Sequence, residues 1–160
     1  IIGLWLVQEC RRSWAKQGNE YSYDQLTEMA INSKSHQSVL DPLDPRFIAP
    51  DNMPKLISEI CNETNQVVPK TPGEIIRCAL ESLALLYAKT LSEAEKLVGW
   101  KAEKLHIVGG GSKNVLLNQL TADFQILFLN RRLMLRVFRI SNFSKSDLNS
   151  RTCFGDIFTL

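Results

Sequence analysis

Apolar residues recur at three- and four-residue spacing in several separate runs, each bounded by a start or stop signal. Leu4, Val7, Cys10 and Trp14 predict a helix over 3–16, with Gly18 as its stop, and Trp5, Gln8 and Arg12 share another face. A second, shorter helix is expected over 23–32, with Ser22 placed to cap it. Residues 35–50 carry three prolines among Asp and Ser residues and read as loop, with at most a short strand. Helical spacing returns over 51–65, where Ile57, Ile60 and Cys61 fall on one side, and 67–69 is a linker. Thr71-Pro72-Gly73-Glu74 is a strong helix start: a capping hydroxyl, a proline at the first helical position and a glutamate three residues after the cap. The helix it opens runs to Val98, and Gly99 ends it. A strand over 104–108 and a helix over 114–124 complete the pattern. Strand, glycine loop and helix are half of a βαβ unit, so the expected class is α/β but helix-rich. The sheet is incomplete, because a stable parallel sheet needs more strands than the pattern supplies.

At 160 residues the chain is long enough for one domain with a real core, and its 44% hydrophobic and 22% charged residues are ordinary for a globular protein. The longest early apolar run, 1–7, is too short to span a bilayer. It also lacks the basic flank and the cleavage site of a signal peptide. The first residue is Ile, not Met, so processing or a longer parent is expected. Cys10, Cys61, Cys78 and Cys153 form no CxxC pair, and the histidines are only His36 and His106, which argues against a structural zinc site. Reduced thiols in a cytoplasmic protein are the simple expectation; a disulfide between Cys61 and Cys78, on consecutive helices, is the other reading.

Charge changes the picture more than composition does. From 125 to 160 there are six basic residues, Arg131, Arg132, Arg136, Arg139, Lys145 and Arg151, against Asp147 and Asp156, a net of +4 that leaves −2 for 1–124. The same tail has no alanine or proline, whereas the preceding part holds nine alanines and all six prolines. Three readings fit: a basic amphipathic segment for an acidic partner or membrane surface, a small basic subdomain, or a shifted reading frame. The total of +2 argues neither for nor against nucleic acid, and no nucleic-acid partner is expected.

Candidate chemistry centres on "HIVGGGSKNVLLNQLTAD", 106–123. Glycines between a strand and a helix let backbone approach a ligand, and the helix start offers free N–H groups to a phosphate. Neither common expression fits. G-x-G-x-x-G needs Gly where Asn114 stands, and Gly-Ser-Lys is not the P-loop's Gly-Lys-Ser/Thr. On physics alone, nucleotide binding and a plain tight turn both remain open. Ser112 or Asn114 can cap the following helix, and the Asn114 amide can also meet an adenine edge or a ribose. His106 reads as a satisfied sheet residue.

"IIGLWLVQECRRSW", "YSYDQLTEMA", "ESLALLYAKTL" and "LHIVGGGSKNVLLNQLTADF" closely resemble the C-terminal domain of the rhamnulokinase group, within the FGGY carbohydrate kinase family. The resemblance covers 1–124, in order. It implies a partial actin/hexokinase-type, ribonuclease H-like ATPase domain. It also implies a parent reaction in the cytoplasm, ATP plus L-rhamnulose giving ADP plus L-rhamnulose 1-phosphate, with magnesium. By resemblance Gly110 lies against the nucleotide, flanked by Gly109 and Gly111; Asn114 sits near the adenosine; Gln8 contacts ATP; and Cys61 and Cys78 match a pair that some relatives oxidise. The family's phosphate loop and catalytic aspartate match nothing here, so no catalytic residue and no metal ligand is assigned. The 160 residues are expected to be inactive alone. After Asp123 the family continues with a Gly-Pro-x-Glu-Ala-Thr segment that this chain lacks. Together with the compositional break, that favours a shifted frame for 125–160 over the rival, a non-enzymatic binding module that uses the basic tail.

Overall fold

The computed structural model describes residues 3–102 and 105–129, and the side chains as far as 125. Within these residues five helices form in chain order: α1 Trp5–Lys16, α2 Tyr23–Ile31, α3 Met53–Glu63, α4 Pro72–Val98 and α5 Val115–Leu129, with 3-10 turns at Pro45–Phe47 and Gly110–Lys113. α4 is the axis. Its 27 residues reach about 40 Å at the usual rise per residue, and α1, α2, α3 and α5 all pack on it. The capping box expected at its start is complete: Thr71 Oγ1 accepts from the Glu74 N–H at 3.3 Å, and Glu74 accepts from the Thr71 N–H at 3.1 Å. Gly99 ends the helix in the left-handed conformation, φ 77°, in which glycine meets no Cβ penalty.

The core joins every helix. Leu6 and Cys10 of α1, Leu26 of α2, Ile57 and Cys61 of α3, Ile76, Leu80 and Leu83 of α4, and Leu117 of α5 belong to one buried cluster. α2 and α4 approach closely enough that Gly73 has no room for a side chain: a Cβ there would lie 2.5 Å from the Met29 carbonyl oxygen. Beside this contact Arg77 donates from Nε to Glu81 Oε1 at 2.6 Å and from Nη1 to the Ala30 carbonyl at 3.3 Å. Glu81 Oε2 in turn accepts the His36 N–H at 2.9 Å, so a buried carboxylate on α4 satisfies both an arginine and loop backbone.

The loop after α2 is held by side chains. Gln66 accepts the Val39 N–H at 2.7 Å and donates to the Val39 carbonyl at 2.8 Å, which copies the two bonds a strand neighbour would make. Leu40 N–H donates to Ser82 Oγ at 2.9 Å. Trp5 reaches across from α1 to donate from Nε1 to the Phe47 carbonyl at 2.8 Å.

The expected strand over 104–108 is the principal correction. Among the described residues every regular element is helical, and 105–108 form no ladder. Leu105 and Ile107 are buried while His106 and Val108 are half-buried, so the alternation of a strand is present. A ladder needs a partner edge, and the described residues contain none. The α/β class is thus not met within them; the helix-rich part of that expectation is. The helix expected over 114–124 starts one residue later and runs on to Leu129, through the compositional break. Residues 130–160, with Cys153 and the basic tail, lie outside the described residues.

Candidate functional site

The glycine turn follows from local geometry. Gly109 has φ 82° and ψ −157°, a backbone state that requires glycine. Gly110 and Gly111 are different. Neither has a positive φ, and a Cβ built on either meets nothing within 4 Å. The fold therefore does not demand glycine at these two positions. What glycine leaves there is a bare peptide surface open to solvent.

Side chains close the turn from beneath. Ser112 Oγ donates to the Gly109 carbonyl at 2.7 Å, and Asn118 Nδ2 donates to the Ser112 carbonyl at 2.8 Å. Asn114 rather than Ser112 caps α5: its Oδ1 accepts the Leu117 N–H at 2.8 Å. Its Nδ2 donates to Thr27 Oγ1 on α2 at 3.1 Å. Both ends of this buried amide are thus committed inside the protein. That use was invisible in the sequence, because Thr27 is 87 residues away.

Gln8 is exposed on α1. α1 packs on α3 and α4, while the glycine turn packs on α5. The structure thus brings Gly109, Gly110, Gly111 and Asn114 into one local network and leaves Gln8 on a separate helix. Arg11, one turn along from Gln8, donates from Nε to the Tyr21 carbonyl at 2.7 Å and lies 4.9 Å over the Tyr23 ring, so α1 reaches the start of α2.

The chain matches the profile of the C-terminal domain of the FGGY family of carbohydrate kinases over residues 1–125. It belongs to the FGGY family. It is 44% identical over 132 residues to a rhamnulokinase of Enterococcus faecalis, covering 81% of this chain and 26% of that protein. It is 43% identical over 123 residues to a rhamnulokinase of Halalkalibacterium halodurans, covering 77% and 26%. With a rhamnulokinase of Enterobacter sp. strain 638 the identity is 46% over 123 residues, covering 77% and 24%. The chain therefore spans about a quarter of the length of the curated relatives it matches.

Two further features of this FGGY domain lie away from the glycine turn. Cys61 on α3 and Cys78 on α4 are buried free thiols whose titrations are shifted by one another and by Ser38. The Cys78 contact holds the Cys61 thiol below its ordinary range, while the same contact and burial push Cys78 up. A cavity of about 250 Å³ opens beside Cys78, lined also by Lys34, Gln37, Ser38, Pro69 and Arg77. No helix among the described residues is long and apolar enough to cross a membrane. No group of three or more His, Cys, Asp or Glu side chains able to hold a metal ion occurs among them.

Proposed function

We propose that residues 1–124 are part of the nucleotide-binding half of a rhamnulokinase, whose whole-protein reaction is ATP-dependent phosphorylation of L-rhamnulose to L-rhamnulose 1-phosphate. The carrying observation is the turn at 109–111. Gly109 is explained by its backbone, whereas nothing in the fold requires glycine at 110 or 111, and their bare backbone leaves room for a ligand to approach. In this family that is the nucleotide. Gly110, between Gly109 and Gly111, lies against it, Asn114 fixes the turn's exit near the adenosine, and Gln8 is a further ATP contact from α1. The ribonuclease H-like, actin/hexokinase-type fold belongs to this reading. In this reading the role of the described residues is to bind and orient the nucleotide, with magnesium carried by the nucleotide in the whole protein.

Phosphoryl transfer depends on positioning both reactants and neutralising charge. No aspartate here matches the family's general base, so the 160 residues bind nucleotide without phosphorylating sugar. One open face buries one side of a ligand, which sets the expected ADP affinity at about millimolar, roughly −4 kcal/mol. Titration with ADP, followed through backbone amide resonances, tests this. Saturable shifts at 109–114 are expected, and their absence up to about ten times that concentration would remove the proposal.

For residues 125–160 we propose a shifted reading frame. The family-profile match stops at 125, next to the compositional break, although the match to the Enterococcus faecalis protein covers 81% of the chain. Sequencing the gene decides it: an alternative frame should yield a Gly-Pro-x-Glu-Ala-Thr-like segment, and its absence from both frames would refute the shift. The rival reading, a binding module, gains no support from the relatives.

A further inference from the structure

Hydrogen bonds joined through the first turn of α5 run from the backbone of α2 to the glycine turn. Thr27 Oγ1 donates its single proton to the Tyr23 carbonyl at 2.8 Å. Its lone pair must then receive Asn114 Nδ2, as it does at 3.1 Å. That contact decides which end of the Asn114 amide faces α5, and Oδ1 meets the Leu117 N–H at 2.8 Å. The first turn of α5 is thereby fixed, and from it Asn118 holds the Ser112 carbonyl at 2.8 Å while Ser112 holds the Gly109 carbonyl at 2.7 Å. At its N-terminal end, where Tyr23 accepts the Thr27 hydroxyl, α2 is tied to α1 by Arg11, one turn from Gln8.

We infer that Thr27 is a positioning residue for the nucleotide turn: its hydroxyl orients the Asn114 amide and so sets where α2 holds the turn relative to α1. This rests on the nucleotide reading of the turn. The geometry distinguishes Thr27 from an ordinary helix threonine. A hydroxyl that only bonds back to its own helix has no partner outside it, whereas this one accepts from a buried amide 87 residues away. Neither Thr27 nor Asn114 need touch the nucleotide for the effect to be felt, because both act through the exit of the turn.

The experiment compares Thr27→Val and Thr27→Ser in the full 160-residue chain. Valine keeps the shape and the β-branch but removes the hydroxyl; serine keeps the hydroxyl. Two readouts are taken, amide hydrogen exchange at Leu117 and Ser112, and ADP titration, with chemical denaturation to report global stability. Thr27→Val should speed exchange at both amides beyond any change in global stability and weaken ADP binding about three- to tenfold, the range that one lost hydrogen bond spans. Thr27→Ser should stay within about twofold of the unchanged chain on both readouts. Exchange and affinity that are equal in the two variants would overturn the inference. If the unchanged chain binds no ADP, the nucleotide reading fails, and exchange at Leu117 still decides the role of Thr27: protection unaltered by valine refutes it.

Discussion

Gly73 on α4 lies directly beneath Met29 on α2, so close that a Cβ on Gly73 would sit 2.5 Å from the Met29 carbonyl oxygen and 2.6 Å from Ser33 Oγ. The hydroxyl of Ser33 can rotate away, but the backbone carbonyl cannot move without shifting α2. Gly73→Ala should therefore destabilise the domain by about 1–3 kcal/mol, the usual cost of overpacking, despite the better helix propensity of alanine. Denaturant unfolding checks this, and a variant as stable as the unchanged chain would show that the helices are not in close contact at Gly73.

The start of the same helix makes stability depend on acid. Hydrogen bonds from the Lys70 and Thr71 N–H groups to Glu74 hold its carboxyl below the ordinary glutamate range. A depressed pKa contributes stability that is present above the unfolded-state value, about 4.3, and is lost as pH falls through the lower folded value. Melting temperature should therefore drop below about pH 4, and Glu74→Gln, which keeps the capping geometry, should flatten that part of the curve. An acid limb identical in the two proteins would count against the assignment.

The thiol pair gives a third expectation. Cys61 and Cys78 lie on the packed helices α3 and α4 and each shifts the titration of the other, and Cys10 serves as an internal control because burial and the adjacent Glu9 push its thiol up. We propose that mild oxidation links Cys61 to Cys78 and, by closing a loop of this length, adds about 3 kcal/mol of stability. Peptide mapping after oxidation should show that one bridge, absent from Cys61→Ser. Recovery of both thiols free would refute it.

The helices were legible because their signals are local. Ser22, the Thr71-Pro72-Gly73-Glu74 start and Gly99 each act within a few residues of themselves, and the structure uses all three as the sequence implied. The strand over 104–108 was not legible as an error, because the alternation over 105–108 is real; what is missing among the described residues is a partner edge, which no single segment can reveal. The same limit hid the Gly73–Met29 contact and the engagement of Asn114 by Thr27. Glycine at 73 read as part of a helix start, and Asn114 as a cap or a ligand contact, since the opposing residue in each case comes from a distant helix. The site itself was half legible. Three glycines announced a turn, but only built geometry separates Gly109, fixed by its own φ of 82°, from Gly110 and Gly111, which the fold leaves free.

That separation supplies the most direct test of the nucleotide proposal. Gly110→Val places its Cβ where no atom beyond the neighbouring residues lies within 4 Å, so the melting temperature should change by no more than about 3 °C while ADP binding is lost. A variant that melts with the unchanged chain and still binds ADP with the same affinity would contradict the account, because Gly110 would then face no nucleotide.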